Sequence, residues 1–238
     1  MLTITCVLFD PAAGSRLPER SRVYSPEWVD TLWRMLDRNL LTEWRMVCLT
    51  HYPQSAFCEG VVAVPFLEDT REVWCINEVF RPDLGAERGM FLALDTVIVK
   101  NIDHMAEYSG LMALPRYHAG AKLKYTNPMA LYSKEAADLL WNQAREAYRD
   151  PWVMMREFGP SEMRFWARYA PKDTEDIHAL WPRQLAPYQL LRDGPVERME
   201  VRPAPPDEML KSVRIISFGF SEEKPHNTTI GIAKEHWK

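Results

Sequence analysis

The carboxylate of Asp95 has the clearest chemical setting in this sequence. An apolar run, residues 90–94, leads directly into it, and a second apolar run, residues 97–99, begins after Thr96. A buried strand that ends in a single acid places that acid at the edge of a sheet, where ligands and metal ions bind. A bound diphosphate needs a cation on oxygen ligands, so Asp95 is a candidate metal ligand. The alternative is an acid that caps a neighbouring loop or helix, which is the simpler role for Asp103.

Lys224 and His226 lie in a loop that follows the last predicted strand. That strand, residues 213–218, runs into a turn at Gly219, and the loop then presents both side chains. A lysine supplies a point charge for phosphate oxygens, and a histidine supplies a hydrogen-bond donor. The alternative is an exposed surface loop, because Ser-Glu-Glu-Lys is common in such turns.

A third candidate is Glu162, which follows Gly-Pro-Ser at the start of a predicted helix. A glutamate in the first turn of a helix commonly serves as part of its cap. A functional carboxylate in that position would orient an acceptor hydroxyl or act as a general base. The sequence leaves both roles open.

Composition and short motifs exclude several classes of function. The four cysteines contain no Cys-x-x-Cys pair, so we expect neither a zinc site nor a disulfide framework. The formal net charge of −4 argues against a broad phosphate-binding face, so nucleic acid is not the expected partner. No run approaches the ~18 apolar residues of a membrane span, and we expect a cytoplasmic protein. Gly-x-Gly-x-x-Gly and Walker motifs are lacking.

Strands and helices alternate along the chain. Ser25 is expected to cap the first helix, and Leu139 is expected on the inner face of the third helix. This order predicts an α/β fold with a mostly parallel central sheet flanked by helices, in a single domain of residues 1–238. Strands are predicted at residues 2–9, 44–50, 61–64, 90–94, 111–114, 128–132 and 213–218, and helices at residues 25–40, 70–80, 133–148 and 162–169.

Five segments resemble, in order, those of glycogenin-like and related bacterial or phage GT-A glycosyltransferases. The resemblance implies a GT-A-like fold that binds a nucleotide-sugar, with Mn²⁺ or Mg²⁺ at the acid of the central strand. It also implies a closing histidine that binds metal and a Lys-Pro pair that grips the diphosphate. The segments are residues 24–29, 47–50, 74–80, 91–103 and 215–226.

The chain departs from this family at its metal-binding positions. Ala93 stands where the family has the first of two aspartates, and Ser217 stands about where the closing histidine is expected. Glu162 lies where relatives have an Asp-Gln pair. The resemblance thus leaves Asp95 as the remaining metal ligand and Lys224 as the remaining phosphate contact. Binding of Mn²⁺ or Mg²⁺ should be weakened, so the metal is held through waters, the enzyme works without it, or catalysis is lost.

The leading hypothesis is a glycosyltransferase that moves a sugar from a UDP-sugar to a hydroxyl acceptor. Asp95 and Glu162 are the catalytic candidates. The donor-binding candidates are Asp10, Tyr24, Arg88, Thr96, Lys224 and His226.

Three alternatives remain. The substitutions at the metal site suggest a catalytically inactive GT-A-fold protein that binds or scaffolds. A nucleotidyltransferase is the second, although a glycine-rich loop after the first strand is lacking. The third is a glycosyltransferase whose acceptor is a modified base in DNA, against which the acidic net charge argues.

Overall fold

The computed structural model describes residues 1–9, 23–67, 72–116, 124–159, 161–193, 206–219 and 223–238. Asp10, a candidate for holding the nucleoside, lies outside these residues. Within them, no helix is long and apolar enough to cross a membrane.

A seven-stranded sheet forms the centre of the fold, in the order β3-β2-β1-β4-β7-β6-β8. The pairings from β3 to β4 and that of β6 with β8 are parallel, whereas β7 is antiparallel to both β4 and β6. The predicted α/β class and mostly parallel sheet are confirmed. The strands are β1 (Leu2–Leu8), β2 (Trp44–Thr50), β3 (Val61–Val64), β4 (Arg88–Leu92), β6 (Met112–Leu114), β7 (Met129–Ser133) and β8 (Glu175–Asp176).

Both faces of the central strands are apolar. All seven residues of β1 are buried, which is typical of a parallel strand covered on its two faces. Alternate residues of β4 enter two different hydrophobic clusters, with Met90 and Leu92 in one and Phe91 in the other. The sheet therefore separates two cores, and the carboxyl ends of its parallel strands remain at one edge.

One helical layer is built by α1 (Pro26–Asn39), which packs against β1, β3 and a short strand, β5 (Thr96–Ile98). Pro26 suits the first helical position, and Glu27 suits the positive end of the helix dipole. The expected cap by Ser25 is wrong in one respect, because its hydroxyl makes no capping hydrogen bond.

The opposite layer contains α3 (Lys134–Tyr148), α4 (Pro151–Phe158), α5 (Glu162–Tyr169) and a 3₁₀ helix, Glu72–Phe80. Ser133 caps α3 as expected, since its hydroxyl accepts from the N–H of Ala136 (3.3 Å). The inward position of Leu139 is wrong: it is 43% exposed. The buried stripe is centred on Ala137, Leu140 and Ala144, and Leu139 falls outside it at 100° per residue.

A second, three-stranded sheet has the order β5-β10-β9, with β9 at Leu185–Pro187 and β10 at Ile215–Ser217. β10 runs antiparallel to β5 and pairs Ser217 with Thr96. The chain thus leaves the central sheet at the end of β4 and enters the small sheet at β5. The remaining helices are α2 (Asp103–Ala106), α6 (Ile177–Leu180), α7 (Tyr188–Asp193), α8 (Pro206–Ser212) and α9 (Gly231–His236).

Candidate active site at the Asp95 turn

Asp95 lies in the turn between the two sheets. The sequence predicts a strand that continues to this acid, but β4 ends at Leu92. The N–H of Ala93 donates to the carbonyl of Pro128 (2.9 Å), and the N–H of Thr96 donates to the carbonyl of Ala93 (3.1 Å). These bonds close a tight turn, which sets the Asp95 side chain at the carboxyl edge of the parallel strands.

The Asp95 carboxylate is buried within a closed triangle of hydrogen bonds. Its Oδ2 accepts from Lys224 Nζ at 2.5 Å and from the Tyr24 hydroxyl at 2.8 Å. Lys224 Nζ also donates to the Tyr24 hydroxyl at 2.9 Å. Asp95 is 6% exposed and Lys224 is 3% exposed. The structure therefore brings together three residues that the sequence nominated separately.

The Lys224 ammonium makes three hydrogen bonds within the protein. Its third acceptor is the carbonyl of Gly219, at 2.7 Å from Nζ. An ammonium group has three N–H donors, so each donor of Lys224 has a partner. The backbone N–H of Lys224 donates to Asn227 Oδ1 (2.7 Å), at the start of a 3₁₀ turn, Pro225–Asn227. These contacts position the ammonium through both ends of the residue.

Tyr24 supplies a neutral hydroxyl to this cluster. Burial, reinforced by the charge of Asp95 and the hydrogen bond to it, raises the pKa of the Tyr24 phenol far above its ordinary value. The phenol therefore keeps its proton at physiological pH. Its O–H donates a hydrogen bond to Asp95, and its oxygen accepts a hydrogen bond from Lys224.

An aromatic group borders the triangle. The rings of Tyr24 and Trp28 pack edge-to-face, with their centroids 5.0 Å apart. The Trp28 ring packs in the same way on His226 and Trp237, at centroid distances of 5.3 Å and 4.9 Å. His226 is exposed, whereas Trp28 is buried. His226 thus lies within two residues of Lys224 and at the solvent side of an aromatic wall, where a flat ring system could stack.

Glu162 forms a second polar centre next to the Asp95 turn. It is buried at the start of α5 and accepts a hydrogen bond from the side-chain amide of Asn127. Burial raises the pKa of Glu162 to about 7, with hydrogen bonds from its own backbone and from Asn127 acting in the opposite direction. Asn127 precedes Pro128, whose carbonyl binds the N–H of Ala93. Glu162 and the Asp95 turn are therefore linked through one short segment.

Two further side chains with buried polar atoms, Asn77 and Ser161, lie beside helix α5, which begins at Glu162. Asn77 is fully buried in the 3₁₀ helix Glu72–Phe80, and its Oδ1 accepts from Trp166 Nε1 at 2.8 Å. Among the described residues, its Nδ2 has no hydrogen-bond partner, and neither does the hydroxyl of Ser161. A buried donor without a partner costs free energy, so this region is suited to a water molecule or a ligand hydroxyl.

The side chains at the turn do not fit a divalent cation. Oδ2 of Asp95 already binds an ammonium and a hydroxyl, and the neighbouring positions carry Ala93 and Ser217. Ser217 does lie beside the turn, because its strand partner is Thr96 and the next N–H, of Phe218, donates to the Asp95 carbonyl (3.1 Å). Within the described parts of the chain, no three His, Cys, Asp or Glu side chains are placed to share a metal ion.

The other predicted site residues have more ordinary positions. Thr96 is buried, and its hydroxyl donates to the carbonyl of Pro128 at 3.4 Å. Arg88 is the first residue of β4, and its guanidinium donates to the carbonyl of Ala106. Because β4 rises by about 3.3 Å per residue, Arg88 lies about 13 Å from Leu92, at the end of the strand that leads to Asp95. The structure therefore does not bring Arg88 to this edge.

The Asp103 carboxylate accepts hydrogen bonds from the backbone N–H groups of Leu41 (2.7 Å) and Thr42 (2.8 Å). It thereby caps a loop, which is the simpler of the roles expected for an acid in this part of the chain.

Sequence reasoning missed Asn127 and Gly219. Asn127 precedes a proline just before β7, and only the antiparallel pairing of β7 with β4 brings it next to the Asp95 turn. Gly219 was recognised as a turn residue, but its carbonyl contact with Lys224 carries no sequence signal. One signal could have identified Asn127: it is a polar residue just before β7, the strand that pairs with β4.

Comparisons with known proteins show the fold. No family model matches the sequence, and no curated protein matches it. The glycosyltransferase GlyE of Streptococcus pneumoniae TIGR4 matches with a TM-score of 0.62 and 13% identity, over 100% of this chain and 60% of its own. The bifunctional glycosyltransferase WbbM, in its apo structure, matches with a TM-score of 0.58 and 10% identity, over 95% of this chain and 47% of its own. The chain spans about half to three-fifths of these proteins, and its fold is similar to theirs, as its motifs predict.

Proposed function

We propose that the chain is a glycosyltransferase that binds a nucleotide-sugar, with a UDP-sugar as the donor, and transfers the sugar to a hydroxyl acceptor. The observation that carries the proposal is the Asp95–Lys224–Tyr24 triangle, which lies at the carboxyl edge of the parallel strands. Ligands of open α/β sheets bind at this edge. The proposal treats residues 1–238 as one nucleotide-sugar-binding domain.

Lys224 is the group we assign to the leaving diphosphate. Sugar transfer breaks the bond between the sugar and the diphosphate, so negative charge builds up on the phosphate oxygens. A fixed cation in a water-poor site stabilises that charge more strongly than it would in bulk water. Lys224 is buried and is fixed through both its backbone and its ammonium.

Glu162 is the group we assign to the acceptor or to the sugar hydroxyls. With a pKa of about 7 it is partly protonated at neutral pH, which suits a group that accepts or donates a proton. Ser161 precedes Glu162, and Asn77 contacts the same helix through Trp166; their atoms Oγ and Nδ2, which have no hydrogen-bond partner among the described residues, suit hydroxyl ligands. Tyr24, Trp28 and His226 would then border the nucleoside.

The rival function is a binding or scaffolding protein without turnover. It is favoured by one observation, namely that all three donors of the Lys224 ammonium are already used within the protein. A ligand must displace at least one of these bonds before the ammonium can contact phosphate directly.

Calorimetry and product analysis separate the two functions. The full chain is titrated with UDP-sugars, GDP-sugars and the free nucleotides, and each mixture is then analysed by mass spectrometry for released nucleotide. We expect one donor class to bind and to be slowly hydrolysed when no acceptor is present. Binding without release of nucleotide, with and without Mn²⁺ and with an acceptor panel, would favour the scaffold. No binding by any nucleotide-sugar would remove the proposal.

A further inference from the structure

We propose that the ammonium of Lys224 takes the place of a metal ion in this site, so that the protein binds a nucleoside diphosphate without any divalent cation. The inference rests on the proposed function, since it concerns how the same site would hold the diphosphate of a donor. It is drawn from the position of one atom, Lys224 Nζ, relative to the Asp95 carboxylate.

The ammonium and a metal ion would compete for the same carboxylate oxygen. Oxygen ligands hold Mg²⁺ and similar divalent ions at about 2.0–2.6 Å. Lys224 Nζ lies 2.5 Å from Asp95 Oδ2. Lys224 and Tyr24 already contact this oxygen, so an ion bound to it would have to displace one of them. An ion on Oδ1 of the same carboxylate would still lie near the ammonium, at a buried position where like charges repel strongly.

The neighbouring side chains do not compensate for this competition. Ala93 has no ligand atom, and Ser217 offers a neutral hydroxyl in place of a charged or imidazole ligand. Divalent ions in proteins are generally held by several oxygen or nitrogen ligands, with carboxylates supplying the charge. A single carboxylate that is already neutralised by Lys224 provides too little.

The charge of the triangle explains how the ammonium can be kept ready for an anion. A buried lysine without a counter-ion would be costly, and Asp95 supplies the counter-ion while the site is empty of ligand. The Tyr24 phenol stays neutral, so the triangle as a whole carries no net charge. When a diphosphate brings its own negative charge, the ammonium can turn from Tyr24 or from the Gly219 carbonyl towards phosphate oxygens.

We place the incoming anion on the Gly219 side of the ammonium. Gly219 has a φ of +36°, and a Cβ added to it would meet no atom of the described residues within 4 Å. Its carbonyl is one neutral acceptor of Lys224, so an anion that replaces it displaces a single hydrogen bond. Lys224 Nζ now lies 2.7 Å from the Gly219 carbonyl oxygen, and an anion that takes the place of this oxygen would accept the same N–H.

The exchange Asp95→Asn distinguishes the ammonium from a metal site. Asparagine keeps an acceptor oxygen for Lys224 and Tyr24 but removes the negative charge. If Lys224 is the cation, the site gains a net positive charge, and affinity for UDP measured in EDTA should rise several-fold. If Asp95 holds a metal, the same exchange should abolish metal-dependent binding of UDP.

The experiment uses the full chain and two readouts. Calorimetry measures the Kd of UDP in EDTA and in Mn²⁺, and electron paramagnetic resonance measures uptake of Mn²⁺ without nucleotide. Variants are Asp95→Asn, Lys224→Gln and Lys224→Arg, with Asp37→Asn and Lys234→Gln as exposed controls of matched chemistry. Tyr24→Phe, which keeps both charges, replaces Asp95→Asn if that variant does not fold.

We expect wild-type Kd values in EDTA and Mn²⁺ to agree within about twofold. Lys224→Gln should weaken UDP binding at least tenfold, Lys224→Arg should retain most of it, and the controls should match wild type. Tyr24→Phe should bind UDP equally with and without metal. Binding of UDP that requires Mn²⁺, or uptake of Mn²⁺ that Asp95→Asn abolishes, would overturn the inference and leave the proposed function standing. Failure to bind any nucleoside diphosphate under either condition would overturn both.

Discussion

At the scale of single residues, the Asp95–Lys224 pair combines short distance with deep burial. The two side chains are 8% and 4% exposed, and Oδ2 and Nζ are 2.5 Å apart. Buried ion pairs are asymmetric in their energetics, because removing one partner leaves the other charge buried without compensation. The pair therefore contributes to stability as well as to the proposed chemistry, and the two contributions can be measured separately.

Replacing Lys224 with glutamine should destabilise the protein strongly. Among the described residues, the change leaves the buried Asp95 carboxylate with Tyr24 as its one side-chain donor, and breaking such a pair costs about 3–5 kcal/mol. Urea unfolding followed by circular dichroism measures the free energy of unfolding. The control Lys234→Gln, at an exposed position of α9, should change it by less than about 0.5 kcal/mol. Equal effects of the two variants would mean that the buried pair adds nothing to stability.

Glu162 should make stability depend on pH. Its pKa rises from 4.5 to about 7 on folding, so the folded state binds the proton more tightly than the unfolded state. Stability from this group is present below about pH 4.5 and is lost as the pH rises to about 7, a difference of about 3 kcal/mol. Glu162→Gln should flatten the wild-type decline between pH 5 and pH 7.5 in urea unfolding. An unchanged slope in the variant would show that Glu162 titrates normally.

At the scale of elements, the site depends on strands that come from different parts of the chain. β4 ends at Leu92, the turn holds Asp95, and β5 carries the chain into the second sheet. β7 brings Asn127 towards Glu162, and β10 leads to the Gly219 turn and Lys224. β4, β7 and β10 were each predicted from their own pattern within a few residues, apart from the end of β4, whereas β5 was not predicted as a strand of its own.

The face of α3 offers a direct test of element packing. Leu140 is fully buried against the sheet, whereas its neighbour Leu139 is 43% exposed. Leu140→Ala should lower the free energy of unfolding by about 2–5 kcal/mol, because it removes apolar contacts and leaves a cavity. Leu139→Ala is the matched control and should cost less than about 1 kcal/mol. A larger loss for Leu139→Ala than for Leu140→Ala would contradict the helix orientation.

At the scale of the whole molecule, the open edge of the central sheet needs protection. β3 is the edge strand, and its Val62 is 48% exposed. The side-chain amide of Gln54 donates to the Val61 carbonyl (2.7 Å) and accepts from the Ala63 N–H (2.8 Å). It thereby occupies backbone groups that would otherwise be free to pair with a strand of another chain.

Removing this amide should promote self-association. Gln54→Ala exposes the outward backbone groups of β3, and we expect earlier aggregation on heating, measured by light scattering against concentration. Asn142→Ala, at an exposed position of α3, is the control and should aggregate like wild type. If both variants aggregate alike, the edge is protected by other means.

The sequence alone determined the class of fold and most of its parts. Alternating apolar runs and helix signals specify local structure through short-range contacts, so β1, α1, β2, β3, α3 and α5 were predictable. It also nominated Asp95 as a metal ligand, Lys224 as a phosphate contact and Tyr24 as a residue that holds the nucleoside. Local patterns could not indicate where β4 would end, because the turn after it depends on the hydrogen bond from the Ala93 N–H to the carbonyl of Pro128, which is distant in sequence.

Only the tertiary structure decided how the candidates combine. Lys224 is 129 residues from Asp95 and 200 residues from Tyr24 along the chain, and their contact depends on how two sheets meet. The same long-range packing excluded Arg88 from this edge and added Asn127. Burial then changed the chemistry, since it raised the pKa of Glu162 and placed an ammonium on the carboxylate that the sequence assigned to a metal. Residue types set which chemistry is available, but distances and desolvation, which arise only on folding, decide which of it the site can use.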